Sequence, residues 1–164
     1  MIKLKTVLVA TDFSNTSDAA LEYGRELART FGAKLQLLHV TDNIITRYAF
    51  EGAMALPVDV QIEYEKSSQD RVDAMLRDDD RRELGAIAVT RVSNAAADAI
   101  VEYAKEAGAD VIVVGTHGRK ALAHLVLGSV AERVVRLAPC PVLTVRPAER
   151  GFIAPETVAV AAKA

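Results

Sequence analysis

Five short apolar segments alternate along the chain with longer segments whose apolar residues recur every three or four positions. The apolar segments are residues 6–10, 35–40, 86–89, 111–114 and 142–145, and they are rich in β-branched side chains. Most of them are continuously apolar and do not alternate with polar residues, which is typical of strands covered on both faces. The pattern therefore predicts five buried β-strands.

Four amphipathic helices are predicted between these strands. The first begins after N-cap candidates at residues 14–17 and ends at Gly32. The second runs from about residue 60 to residue 83, and its charged run at 77–83 is expected to be a solvated helix face. The third is capped by Ser93 or Asn94 and ends at Gly108, and the last carries Val130 and Val134 on its inner face.

Strand and helix alternation of this kind predicts right-handed βαβ units in an α/β fold. We expect a single-domain, doubly wound, Rossmann-like sheet of five parallel strands in the order 3-2-1-4-5. The domain covers residues 1–147, and residues 148–164 are a C-terminal tail that we expect to be flexible. Residues 41–57 are long for a connection and are a candidate for a mobile flap.

Glycines follow the fourth predicted strand at a spacing that suits an anion. Gly115, Gly118, Gly128 and Ser129 form Gly-x2-Gly-x9-Gly-Ser, and a helix leaves from the last of them. Backbone N–H groups beside glycines and at a helix N-terminus can approach a phosphate closely. The alternative is structural: Gly115 and Gly118 end the strand and turn the chain, and Ser129 forms a capping box with Glu132.

The first predicted strand ends in Ala10, Thr11 and Asp12. In an open sheet, ligands bind beyond the carboxyl ends of the strands where the strand order reverses, which here is between the first and fourth strands. A carboxylate at Asp12 can accept from ribose hydroxyls or an adenine amino group but would repel phosphates. The two loops therefore suit a nucleoside at one end and phosphates at the other. The alternative for Asp12 is a turn or helix-cap role.

Charge and composition narrow the function classes. Twenty basic and 22 acidic residues give a net charge of −2, which argues against nonspecific nucleic-acid binding and adhesion to anionic membranes. No apolar run reaches a membrane span and no signal-peptide pattern is present, so we expect a cytoplasmic protein. The single cysteine, Cys140, is expected to pack as a small hydrophobe.

Signals for catalysis are weaker than those for binding. The P-loop and the Gly-x-Gly-x2-Gly fingerprint are missing from the sequence. His117 and His124 have no third metal ligand at a suitable spacing and no paired nucleophile, so we assign them to a loop or to the surface. His39 is expected to pack or cap at the end of its strand. The sequence thus predicts no catalytic residue and no metal ligand.

Four motifs together resemble the ATP-binding branch of the universal stress protein family. They are Val9-Ala10-Thr11-Asp12-Phe13-Ser14, Leu38-His39-Val40, the glycine pattern, and the run Ala-Pro-Cys-Pro-Val-Leu-Thr-Val at 138–145. The resemblance covers about residues 2–147 and implies the same five-stranded fold, in the class of the adenine nucleotide alpha hydrolases. The chain departs from the family where Ser93-Asn94-Ala95 replaces a Gly-x-Pro-like turn, which we expect to affect helix entry more than the pocket.

The resemblance implies an ATP site, with or without Mg²⁺ or Mn²⁺ held through the phosphates. At matching positions, Ala10, Thr11, Asp12 and the backbone of Val40 meet the nucleoside, and Gly115 lies against the ribose. The residues around the phosphates would be Gly118, Arg119, Gly128, Ser129 and Val130. It also implies a nucleotide-dependent regulatory protein of the stress response. The alternatives are a slow ATP hydrolase or adenylyl-transferring enzyme, and an interaction module with an empty pocket.

The last predicted strand, Val142–Val145, would lie at an edge of the sheet. Pro141 suits the beginning of an edge strand because it has no N–H to offer a neighbour. The outer edge would otherwise expose unpaired backbone groups beside apolar side chains. The sequence and the family resemblance therefore predict a homodimer through this strand.

Overall fold

The computed structural model describes residues 1–50, 57–116 and 127–146. Its five parallel strands form one sheet in the order β3-β2-β1-β4-β5, which confirms the predicted topology. The strands are β1 Thr6–Thr11, β2 Lys34–Thr41, β3 Ile87–Val92, β4 Val111–Gly115 and β5 Val142–Val145. The helices are α1 Asn15–Phe31, α2 Ile44–Phe50, α3 Val58–Ala74, α4 Asp78–Leu84, α5 Ala96–Glu106 and α6 Ser129–Leu137.

Both faces of the sheet are covered by a hydrophobic cluster. On one face, Val7, Val9 and Leu37 pack with residues of α1 and with Val72 of α3. On the other face, Leu8, Leu38 and Ile112 pack with residues of α5 and α6, including Ile100 and Val134. Successive strand residues point to opposite faces, so a continuously apolar strand can enter both clusters. This explains the unbroken apolar segments of the sequence.

The ends of α1 lie where the sequence predicts them. Ser14 is the N-cap, and its hydroxyl oxygen accepts from the backbone N–H of Ser17. Gly32 ends the helix in the left-handed conformation, with φ of 63°. Between them, Gly24 packs against β1 so closely that a Cβ would lie 2.2 Å from the Cγ2 of Val9. Helix α1 thus lies tightly on β1, and its N-terminus follows the carboxyl end of that strand.

The prediction of one helix from about residue 60 to residue 83 is wrong. The structure has two helices there, α3 and α4, separated by residues 75–77. The buried side chain of Arg25 holds this break: its Nη2 donates to the carbonyl oxygen of Met75 at 2.7 Å, and its Nε donates to Asp80 Oδ2 at 2.8 Å. Asp80 is fully buried, so the charged run at 77–83 is not simply a solvated face. A long-range ion pair of this kind leaves no signal in local periodicity.

Part of the predicted connection at residues 41–57 is helical, because α2 occupies Ile44–Phe50. Residues 51–56 of this connection lie outside the described residues. The side chain of Asn94 contacts the start of α2, since its Oδ1 accepts from Asn43 N and its Nδ2 donates to Thr46 Oγ1. The predicted caps of α5 are therefore wrong: Ala95 is the N-cap, without a side-chain cap bond. The predicted domain boundary and tail lie outside the described residues.

Candidate functional site

The carboxyl ends of β1 and β4 lie side by side where the strand order reverses. Ala10 of β1 pairs with Val114 of β4, and Thr11 of β1 pairs with His39 of β2. Because neighbouring strands are about 4.8 Å apart, the residues that follow these strands meet at one edge of the sheet. This edge is the switch-point crevice, and it brings Asp12, the end of β2 and Gly115 together as the sequence predicted.

Asp12 shapes the turn between β1 and α1. Its Oδ1 accepts from the backbone N–H of Ser14 at 3.1 Å and from the Ser14 hydroxyl at 2.6 Å. Ser14 in turn caps α1, so the carboxylate supports the start of the helix. The structural alternative raised for Asp12 is therefore present in the molecule. It does not exclude a ligand, because a carboxylate offers about four acceptor directions.

Gly115 is explained by the packing of α1 against β4. A Cβ at this position would lie 2.8 Å from the Cγ2 of Thr16 and 3.1 Å from its carbonyl carbon. Even alanine would therefore press on the first turn of α1, and only part of that contact is with a movable side chain. The close approach brings the N-terminus of α1 to the end of β4. The placement of Gly115 against a ribose stays a prediction.

Helix α6 begins at the same edge of the sheet. Gly128 donates its backbone N–H to the carbonyl oxygen of Thr116 at 2.6 Å, and the N–H of Thr116 donates to Val145 O at 2.8 Å. The start of α6 is thus tied to the end of β4 and, through Thr116, to β5. The first-turn N–H groups of a helix carry partial positive charge and suit an anion.

The predicted capping box at Ser129 is wrong. Gly128 is the N-cap, with φ of −72° and ψ of 154°, and Ser129 is already the first residue of the helix. Glu132 is then the fourth helical residue, one position too far for the reciprocal bond. Ser129 and Val130 are exposed, so both can face a ligand at the helix N-terminus.

Three apolar residues near this edge of the sheet lie on the face that α5 and α6 cover. Ala10, Val40 and Leu127 are partly buried and pack against the same hydrophobic cluster. Val40 precedes the last residue of β2 and pairs with Arg91 of β3. Small and β-branched side chains beside a helix N-terminus suit a ligand with one flat apolar part and one anionic part.

Gly118 and Arg119, which the resemblance assigns to the phosphates, lie outside the described residues, as do His117 and His124. His39 does pack and cap as predicted, because its Nδ1 lies 2.8 Å from the carbonyl oxygen of Thr11 and its ring contacts Phe13. The contacts of Phe13 and Arg71 in this region were missed, and long-range contacts of this kind have no signal in local sequence.

Cys140 lies away from the crevice, before β5. Its side chain is partly buried and packs against the cluster of α5 and α6, which confirms the expected packing role. Burial raises the pKa of the thiol, and the nearby carboxylate of Asp110 raises it further. The thiol is therefore protonated at neutral pH and a poor nucleophile.

Two further features of the described residues concern metal sites and membrane spans. No group of three or more His, Cys, Asp or Glu residues within 1–50, 57–116 and 127–146 is arranged to hold a metal ion. In the same part of the chain, no helix combines the length and the apolar character that a bilayer span requires.

Comparison with known proteins decides the family. The sequence model described as the Universal stress protein family matches residues 3–146. This chain belongs to the universal stress protein family. A curated relative, universal stress protein YxiE of Bacillus subtilis, is 34% identical over 144 residues, which cover 85% of this chain and 97% of the relative. The resemblance stated from the motifs is therefore confirmed.

Solved structures agree with the fold of this universal stress protein. The structure of MJ0577, a universal stress protein of Methanocaldococcus jannaschii, superposes with a TM-score of 0.70 at 26% identity and covers 91% of this chain and 100% of its own. A universal stress protein solved in complex with cAMP has a TM-score of 0.58 at 27% identity and covers 90% and 100% of the two chains.

Proposed function

We propose that this universal stress protein binds ATP in the switch-point crevice and acts as a nucleotide-dependent regulatory protein of the stress response. One observation carries the proposal. The hydrogen bond from Gly128 to Thr116 fixes the N-terminus of α6 at the end of β4, beside β1, the strand that Asp12 follows. A helix N-terminus, which suits an anion, and a carboxylate thus lie at the carboxyl ends of two neighbouring strands, where the strand order reverses.

The choice of an adenine nucleotide rests on two supports. A structural relative with the same fold was solved with cAMP, which contains an adenine base and a phosphate. In this chain the crevice combines the apolar surface of Ala10 and Val40 with the polar N-terminus of α6. A base fits the first part and phosphates the second.

The proposed arrangement places each end of ATP by its chemistry. Asp12 accepts hydrogen bonds from the nucleoside, Ala10, Thr11 and the backbone of Val40 line the base, and Gly115 lies against the ribose. The phosphates lie at the start of α6, where their charge is favourable. The residues proposed around the phosphates are Gly118, Arg119, Gly128, Ser129 and Val130. A Mg²⁺ or Mn²⁺ ion would be held through the phosphates of the bound nucleotide.

Mass spectrometry of the small molecules released when freshly purified protein is denatured tests this proposal. We expect ATP, and calorimetry of the emptied protein should show micromolar binding, about −8 kcal/mol. Protein that carries no nucleotide and binds none would instead indicate an interaction module. A measurable turnover of ATP that is lost on substitution of Asp12 would favour an enzyme.

We further propose that two copies pair through β5. Val142, Leu143 and Thr144 are only partly buried in the single chain, so this strand presents apolar side chains at the edge of the sheet. The opposite edge is different, because Gln69 of α3 donates to Ala88 O and accepts from Thr90 Oγ1, both on β3. A side chain that covers β3 leaves β5 as the better edge for pairing with a second copy.

A further inference from the structure

Phe13 follows Asp12 in the turn between β1 and α1 and has an unusual backbone. Its φ is 65°, and among the described residues it is the only one other than glycine with positive φ. A bulky side chain makes this left-handed conformation costly, and such residues persist only where their surroundings fix them. The contacts of Phe13 therefore show what holds this turn.

The backbone of Phe13 is held from within β1. Its N–H donates to Thr11 Oγ1 at 3.0 Å, and the same hydroxyl lies 3.0 Å from the hydroxyl of Ser17 in α1. Thr11 and Ser17 are both buried. The turn is thus bonded to the strand before it and to the helix after it.

The ring of Phe13 is held by two other elements. Its centroid lies 4.2 Å from that of the His39 ring on β2, and the guanidinium carbon of Arg71 on α3 lies 4.0 Å from the centroid of Phe13. The second contact has the geometry of a cation–π interaction. Side chains from β2 and α3 therefore fix a residue of the β1–α1 turn.

His39 also closes this set of contacts on the backbone. Its Nδ1 lies 2.8 Å from the carbonyl oxygen of Thr11, and a carbonyl oxygen only accepts, so Nδ1 carries the proton and donates. The imidazole is buried and cannot swing away into solvent. Residues on both sides of Asp12 are thus held by the same side chain.

We propose that Phe13, His39 and Arg71 are positioning residues that orient the carboxylate of Asp12 toward the nucleoside. Asp12 lies between Thr11 and Phe13, so any relaxation of either neighbour turns its side chain. The three residues then set the affinity for the nucleoside end of the ligand without touching that ligand. This inference rests on the proposed function, because it concerns the same site.

The test uses the full chain and calorimetry with three ligands: ATP, adenosine and inorganic tripolyphosphate. We expect Phe13→Ala and Arg71→Gln each to weaken adenosine and ATP by about tenfold and to leave tripolyphosphate unchanged. Phe13→Tyr keeps the ring and should keep wild-type affinity. Arg82→Gln, at an exposed arginine of α4, is the matched control and should change none of the three.

A double-substitution cycle distinguishes positioning from general damage. In protein that already carries Asp12→Ala, Phe13→Ala should cause no further loss of adenosine affinity, because the group it orients is gone. Full additivity, or an equal loss of tripolyphosphate affinity, would overturn the inference. Should Phe13→Ala fail to fold by circular dichroism, Arg71→Gln decides alone, since its side chain is exposed.

The wild-type titration separates the two proposals. Wild-type protein that binds no ATP overturns the proposed function and this inference with it. Wild-type protein that binds ATP, with unchanged adenosine affinity in Phe13→Ala and Arg71→Gln, overturns the inference alone.

Discussion

The backbone N–H of Gly128 donates to the carbonyl oxygen of Thr116 at 2.6 Å, so a hydrogen bond joins the N-cap of α6 to the residue that follows β4. Thr116 and Gly128 therefore lie together at this edge of the sheet, although they are twelve positions apart in sequence. This hydrogen bond explains how Gly128 can belong to one site with Gly115. The two residues are distant in sequence, but both lie at the carboxyl end of β4. The helix N-terminus is thereby available to the crevice.

Gly128→Glu should abolish ATP binding and keep the fold. The backbone of Gly128 is extended, with φ of −72°, a conformation that residues other than glycine adopt readily. A carboxylate at the start of α6 would meet the proposed phosphates, and juxtaposed like charges cost several kcal/mol, which is a loss of about a hundredfold or more. Gly128→Ser is the matched control, because serine is a good N-cap without charge. Calorimetry with equal ATP affinity in both variants would contradict the phosphate site.

Asp12→Asn should separate the ligand role of Asp12 from its turn role. An asparagine Oδ1 can still accept from Ser14, so the turn and the melting temperature should change little. The charge that strengthens a hydrogen bond from a ribose hydroxyl is lost, and adenosine affinity should fall by about tenfold. ATP should weaken by a similar factor. Unchanged adenosine affinity in Asp12→Asn would show that Asp12 supports the turn and does not bind the ligand.

Gly115→Ala should destabilise the protein whether or not a nucleotide is bound. The added methyl group would lie 2.8 Å from Thr16 Cγ2 and 3.2 Å from the Thr16 carbonyl oxygen. Overpacking of this kind costs about 1–3 kcal/mol. Thr16→Ser removes the methyl group and should recover part of the loss in the double variant, as measured by urea unfolding. A Gly115→Ala protein of wild-type stability would contradict the close packing of α1 on β4.

Asp110 should make the protein sensitive to acid. Its Oδ2 accepts from the backbone N–H groups of Lys5 and Thr6 at 2.6 and 3.0 Å, and these bonds lower the pKa of the carboxyl group. Because the pKa in the folded state is lower than in the unfolded state, the stabilisation is complete above about pH 4 and is lost as the pH falls through the folded-state value.

Asp110→Asn should therefore lower the free energy of unfolding by about 1 kcal/mol at pH 7. The difference from wild type should begin to shrink as the pH falls below about 4, because the carboxyl group of the unfolded state takes up a proton there before that of the folded state. Urea unfolding at pH 7 and pH 3.5 measures both values, with Asp70→Asn on the exposed side of α3 as the control. A difference that stays constant with pH would show that the two hydrogen bonds do not depend on charge.

The fold could be predicted from the sequence because most of the strands are largely apolar and the predicted connections between them carry a helical period. The break between α3 and α4 could not, since it depends on Arg25, a residue 50 positions before Met75. The same limit applies to the site. Asp12 and the glycines occur in motifs, whereas the contact of Arg71 with Phe13 joins residues 58 positions apart that neither periodicity nor spacing relates.

Capping was predicted less well than strand order for a physical reason. Several polar residues before a helix can serve as its N-cap, and the backbone of the preceding turn decides among them. At α6, the bond from Gly128 to Thr116 fixes the cap at Gly128 and moves Ser129 into the helix. At α5, Asn94 bonds to residues at the start of α2 and is thereby drawn away from capping.

Val142→Lys should convert the proposed dimer to a monomer. Val142 is the first residue of β5 and is partly buried, so a lysine there would place a charge in an interface formed by two copies of this strand. Thr144→Pro should act in the same way by removing a backbone N–H. Ile87→Lys is the matched control, because Ile87 is exposed on β3 at the opposite edge. Sedimentation should give a dimer for wild type and Ile87→Lys and a monomer for the two β5 variants. Wild-type protein that sediments as a monomer at tens of micromolar would refute the assembly and leave the nucleotide proposal intact, because the crevice is built within one chain.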